Sequence, residues 1–161
     1  MSMSAGSPIA VAAPSGFPDV NAFSPVDPKS HTVSNPRTTV IGFVAPGGVG
    51  CSWGFGTDPD EHGAVLCEGT IPGVPASAPD NGSTGCAQAK TAGYPANGGP
   101  YVIARHGGSC GPFSAFPRLN VGQKLSATNI TCVVGANDLT ACIDTGADHG
   151  FVLQPSGSWG F

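Results

Sequence analysis

The chain has 161 residues, of which 25 are glycine and 16 proline, about a quarter of the whole and roughly twice ordinary usage. Only 10% are charged, the net charge is −4, and the six Lys and Arg residues are scattered. Without a dense basic patch to release counterions, nucleic-acid binding is excluded, and no apolar run approaches the length that spans a bilayer. Hydrophobic residues still make up 40%, enough to bury the core of one loop-rich domain.

Residues 1–18 read as a residual export-signal or disordered segment. Ile9-Ala10-Val11-Ala12-Ala13 looks like the tail of an export signal with an Ala-x-Ala cleavage pattern, without the basic n-region and full apolar core that precede one. Residues 19–36, with Pro25, Pro28 and Pro36, read as an extended arm that Phe17 and Phe23 pin to the domain surface. Residues 37–161 then form a single β domain.

Within it, Arg37 to Val44 is a strand rich in β-branched residues, turned at Pro46-Gly47-Gly48 into a second strand over Val49 to Phe55. Thr57 to Gly63 makes a hairpin tip, and Ala64 to Cys67 returns. Pro72–Gly85 and Gly93–Pro100 are polar, Gly/Pro-rich loops, with Cys86 to Ala92 between them as the best helix candidate, one or two turns long. Tyr101 to Ala104 is a short strand. Asn120-Val121-Gly122 is a turn, and Ala127–Val134 with Leu139–Ile143 makes a hairpin around Gly135-Ala136-Asn137-Asp138. Phe151 to Leu153 is a further strand. Gly and Pro leave few windows long enough for a helix, so the expected fold is all-β: a small disulfide-stapled sandwich or partly open barrel of short antiparallel strands, with at most one short helix.

One pattern occurs twice. An apolar strand and a Pro/Gly turn lead to Ser52-Trp53-Gly54-Phe55, and the same order leads to Ser158-Trp159-Gly160-Phe161. The unequal spacing of the copies argues against a duplicated domain. They read as two strand–turn–strand corners, one opening the folded region and one closing it. Side-by-side pairing of the copies would bring Trp53 close to Trp159.

The six cysteines Cys51, Cys67, Cys86, Cys110, Cys132 and Cys142 contain no Cys-x-x-Cys pair, so they suit disulfides in an oxidising compartment better than a metal. Hairpin geometry favours joining neighbours: Cys51–Cys67, Cys86–Cys110 and Cys132–Cys142.

Candidate chemistry is sparse. Gly107-Gly108-Ser109-Cys110-Gly111 has the Gly-x-Ser-x-Gly form of a nucleophile elbow beside His106, but a strand–helix context is lacking. Asp58, Asp60, Glu61 and His62 could surround a cation but lack a calcium-loop pattern, and Asp144, Asp148 and His149 form a second polar cluster. His31 stands alone. Asn81 and Asn129 begin formal glycosylation sequons, the second inside a predicted strand. Trp53 and Trp159, with Phe17 and Phe23, are the candidate partner-binding residues, although Trp and Phe more often fill a core.

The motifs Phe43-x-x-Pro46-x-Gly48-x-x-Cys51, Cys67-x-Gly69-x-x-Pro72-Gly73-x-Pro75, Leu119-x-x-Gly122, Ile130-Thr131-Cys132 with Cys142, and His149-Gly150-Phe151-Val152-Leu153-x-Pro155-x-Gly157-Ser158 cover most of Phe17 to Phe161. On these, the chain resembles a group of small exported proteins of mycobacteria and related actinobacteria. The resemblance implies export to the envelope or medium and a disulfide-bonded β domain. It carries over no activity and no catalytic residue.

The expectation is therefore a secreted or extracytoplasmic, non-enzymatic protein that binds an envelope or secreted protein partner, or a glycolipid, with no cofactor or metal. The alternatives are a small secreted hydrolase using Ser109 or a metal near Asp58–His62, and a structural or antigenic surface protein without a specific ligand.

Overall fold

A computed structural model describes residues 13–34, 36, 38–55, 63–78, 85–92, 99–107, 110 and 115–161. They form two six-stranded sheets facing each other without closing into a barrel. Sheet A has the order β1 (Ser24–Pro25), β8 (Gln123–Ala127), β9 (Ile130–Gly135), β10 (Leu139–Asp144), β11 (His149–Leu153), β12 (Trp159–Gly160). Sheet B runs β2 (Thr32–Ser34), β3 (Thr39–Val44), β4 (Gly50–Phe55), β5 (Leu66–Gly69), β6 (Ala87–Thr91), β7 (Tyr101–Arg105). All pairings are antiparallel except β1 with β8.

The core is two facing rows. On sheet B, Phe43, Cys51, Cys67, Ala89 and Ile103 stand in register across five strands. On sheet A, Leu125, Cys132, Cys142 and Phe151 do the same across four. All nine belong to one buried cluster. Disulfides join Cys51 to Cys67, Cys86 to Cys110 and Cys132 to Cys142. The first and third link directly opposed residues with Cα atoms 4.1 Å apart.

The segment 19–36 is more than an arm laid on the surface. It begins against the outer face of sheet A, where Phe17, Val20 and Phe23 pack on Val133, Ala141 and Val152 together with Trp159. Lys124 Nζ donates to the Val20 carbonyl (3.1 Å). It then supplies β1 to sheet A, crosses through a 3-10 turn at Pro28–His31, and supplies β2 to sheet B. His31 is buried at the crossing, with Nδ1 donating to the Gly42 carbonyl (3.0 Å).

Three readings of the sequence are corrected. Cys86 to Ala92 is not helical: Ala87–Thr91 is a strand with burial alternating residue by residue, and pairing on both sides overrides the helical preference of Ala, Gln and Lys. The run through Ala127 to Val134 is broken at Thr128-Asn129, where Thr128 takes a φ of 55° and a tight turn joins β8 to β9. Asn129 is thus an exposed turn residue. Finally, the two Ser-Trp-Gly-Phe copies do form strand–turn–strand corners, but they do not pair with each other. β4 lies between β3 and β5 inside sheet B, whereas β12 pairs with β11 at the edge of sheet A.

The glycines of the two copies carry different loads. The sheets meet where the Tyr101 amide donates to the Phe161 carbonyl (3.1 Å), and a Cβ on Gly160 would run into the Tyr101 carbonyl. A Cβ on Gly54 would find its nearest atom 3.7 Å away, ordinary contact. Gly160→Ala is therefore expected to lower unfolding free energy by about 1–3 kcal/mol, as overpacking does. Gly54→Ala should stay within about 0.5 kcal/mol of wild type in the same urea titration.

Candidate functional site

Five connecting segments gather at one end of the sandwich: 45–49 between β3 and β4, 70–72 after β5, 121–122 before β8, 136–138 between β9 and β10, and 154–157 between β11 and β12. Between the first four lies a pocket of ≈350 Å³. A neighbouring hollow of ≈340 Å³ shares Asn137 and Leu139 with it and continues to Gln154, Pro155 and Ser156. The pocket has the size of a small-ligand site and its usual character, apolar walls with a few polar groups.

Ala45, Val49 and Val134 supply buried wall, and Val121, 56% exposed, stands at the edge. An exposed valine in a turn is where the sequence could have betrayed the site, since Asn, Gly and Ser dominate such positions. Thr140 lines the pocket on β10 and is 3% exposed. Among the described residues of the lining, Asp138 is the only ionisable one. With Asn137 it takes a left-handed conformation (φ 58° and 59°), which Asn and Asp tolerate better than other non-glycine residues. Its carboxylate hangs over Gly47, where an added Cβ would lie 3.1 Å from Oδ1.

One wall is firmly held. The Ser158 amide donates to the Gly73 carbonyl (2.8 Å), and its hydroxyl donates to the Pro72 carbonyl (2.6 Å) while accepting from the Gln154 amide (3.0 Å). Ser158 of the repeated motif is therefore a clamp between the sheets, with no free hydroxyl for chemistry.

The four candidate partner-binding residues lie in two places. Trp53 is 2% exposed and fills the core; its indole N–H lacks a hydrogen-bond partner. Trp159, Phe17 and Phe23 are half-buried against one another's surroundings on the outer face of sheet A, with the Phe17 and Phe161 rings edge-on at 5.8 Å. Ser109 and the tip Asp58–His62 lie outside the described residues, as does Asn81. Asp144 is buried and caps its own turn, accepting from the Gly146 amide (3.0 Å); Asp148 lies exposed in the same turn, and His149 opposes Asp144 across the strands. The sulfurs of Cys51, Cys67 and Cys142 lie within 4.8 Å of one another, but every described cysteine is oxidised, so none offers a thiolate.

Tyr101 is a titratable group deep in the structure. Burial pushes its phenol up from 10.0 to about 12, the Asp144 charge adds to this, and the hydrogen bond from the Val65 amide (3.1 Å) opposes it. Its role is to hold Val65 and to pack on Phe151, with ring centroids 5.2 Å apart.

Fold and site define a disulfide-bonded, two-sheet all-β protein with a recessed pocket among its turns. Among the described residues no helix is long and apolar enough to cross a membrane. The chain matches no protein-family model, no curated protein and no solved structure.

Tyr101 sets an alkaline limit. Above pH 10 an unfolded tyrosine ionises while the folded one stays protonated until about 12, so the unfolded chain binds fewer protons and stability falls as pH rises. Between those values wild type should lose about 2 kcal/mol relative to Tyr101→Phe, read from denaturant midpoints of both proteins across the range.

Proposed function

We propose that the chain is an exported, non-enzymatic accessory or interaction module that binds a protein partner of the cell envelope or secreted fraction through the hollowed end of its sandwich. The observation that carries this reading is the pocket itself, a recess with apolar walls and an exposed Val121 at its edge. Apolar recesses ringed by polar groups are where a partner's anchoring side chain gains most, because water is excluded there. The adjoining hollow across Asn137 and Leu139 gives the surface the extent that a polypeptide needs.

Three disulfides fit an oxidising compartment outside the cytoplasm, and the resemblance to small exported actinobacterial proteins points the same way. Binding is favoured over catalysis because the polar groups brought together are used in building the fold. His31 holds the crossing, Asp144 caps a turn, Tyr101 holds Val65 and Ser158 clamps the sheets.

The test is capture from an actinobacterial envelope fraction on the immobilised chain, in parallel with Val121→Asp. A stoichiometric protein retained by wild type and lost, by at least about tenfold, with Val121→Asp supports the reading. The melting temperature of the variant should be almost unchanged, since the residue is largely exposed. Absence of any stoichiometric partner, or equal capture by both proteins, overturns it.

A further inference from the structure

The charge in the pocket narrows what it can take. Among the described residues lining it, Asp138 is the only ionisable one, with no Lys, Arg or His beside it. Asp138 is exposed in its turn, and its carboxylate stands close to Gly47 at the rim of the apolar walls. An anion entering beside Asp138 meets repulsion and a cation meets attraction, each moderated by the solvent around an exposed carboxylate. Asn137 and the Thr140 hydroxyl are polar groups lining the same recess and can accept hydrogen bonds.

We infer that the pocket receives a lysine side chain of the protein partner, next to an apolar residue, with Asp138 as the counter-charge. A lysine combines an apolar four-carbon stem, suited to Val49, Val121 and Val134, with an ammonium that donates three hydrogen bonds and carries the complementary charge. The recess of ≈350 Å³ exceeds one such side chain, which leaves room for the apolar neighbour. This assignment rests on the binding role proposed for the same end of the molecule.

The experiment uses the full disulfide-bonded chain, ¹⁵N-labelled, titrated with three probes: N-acetyl-leucyl-lysine amide, N-acetyl-leucyl-glutamate amide and n-hexylamine. The lysine dipeptide is expected to shift the amide signals of Val121, Val134 and Thr140. It should bind about five- to tenfold more tightly than the glutamate dipeptide, a margin in keeping with one partly exposed charge pair and shrinking at high salt. Asp138→Asn, which keeps the left-handed turn accessible, should erase that margin. The lysine assignment is overturned by equal or tighter binding of the glutamate dipeptide, or by a margin that survives Asp138→Asn. Hexylamine binding as tightly as the lysine dipeptide also overturns it, assigning the pocket to a free amine. Should no probe shift those signals while the partner is still lost with Val121→Asp, the lysine assignment falls and the binding role stands. Should both be negative, both fall.

Discussion

Two disulfides pressed against each other at the middle of the sandwich are what the rest of the structure depends on. Cys51–Cys67 projects from sheet B and Cys132–Cys142 from sheet A, and three of their sulfurs lie within 4.8 Å of one another. A chain this rich in glycine cannot fill the space between two sheets with branched side chains at every inward position. Sulfur, compact and polarisable, fills it instead, and Phe43, Ile103, Leu125 and Phe151 flank it in the same rows. The same atoms cross-link adjacent strands, so reduction would leave the sulfurs in the core but free the unfolded chain, an effect worth about 3 kcal/mol per loop of this size.

The N-terminal segment makes the sheets unequal. Because Phe17, Val20 and Phe23 cover the outer face of sheet A, its central strands are buried on both sides and read as nearly continuous apolar runs, as in Ile130–Gly135 and His149–Leu153. β6 of sheet B keeps one face toward solvent and alternates, with Ala87, Ala89 and Thr91 inward and Gln88 and Lys90 outward. The covering segment is itself fixed at both ends of its path, by the Lys124 ammonium on the Val20 carbonyl and by His31 on the Gly42 carbonyl. A histidine that stands alone in the sequence is thus the peg that lets one segment serve two sheets.

What could be read from the residues alone follows from the range over which each signal acts. The β3–β4 and β9–β10 hairpins were legible because β-branched runs flank turn residues, and the neighbour joining of cysteines follows from those hairpins. The Thr128-Asn129 turn was hidden because neither glycine nor proline marks it, and β6 was mistaken for helix because Ala, Gln and Lys carry that local preference until two partner strands overrule it. β1, β2 and β12, two or three residues each, are too short to show a period. Of the aromatic residues that suggest a binding surface, Trp53 fills the core, while Phe17, Phe23 and Trp159 stand together, half-buried, on the outer face of sheet A. The pocket was out of reach because its lining is drawn from four segments far apart in sequence, brought together only by the topology.

That origin also bears on how the pocket can function. A recess made from loops alone would have to be ordered by whatever enters it, at a cost in affinity. Here the opposing turns close hairpins whose strands belong to the disulfide-linked rows, Ala45–Val49 between β3 and β4 and Ala136–Asp138 between β9 and β10. The remaining wall, at Pro72 and Gly73, is fastened by Ser158 from the other sheet. The left-handed backbone at Asn137 and Asp138 then fixes where the single carboxylate stands relative to the apolar walls. The glycine-rich scaffold and the recess are in this sense one construction: cross-links that compensate for a sparse core also hold the turns at its end in place before any partner arrives.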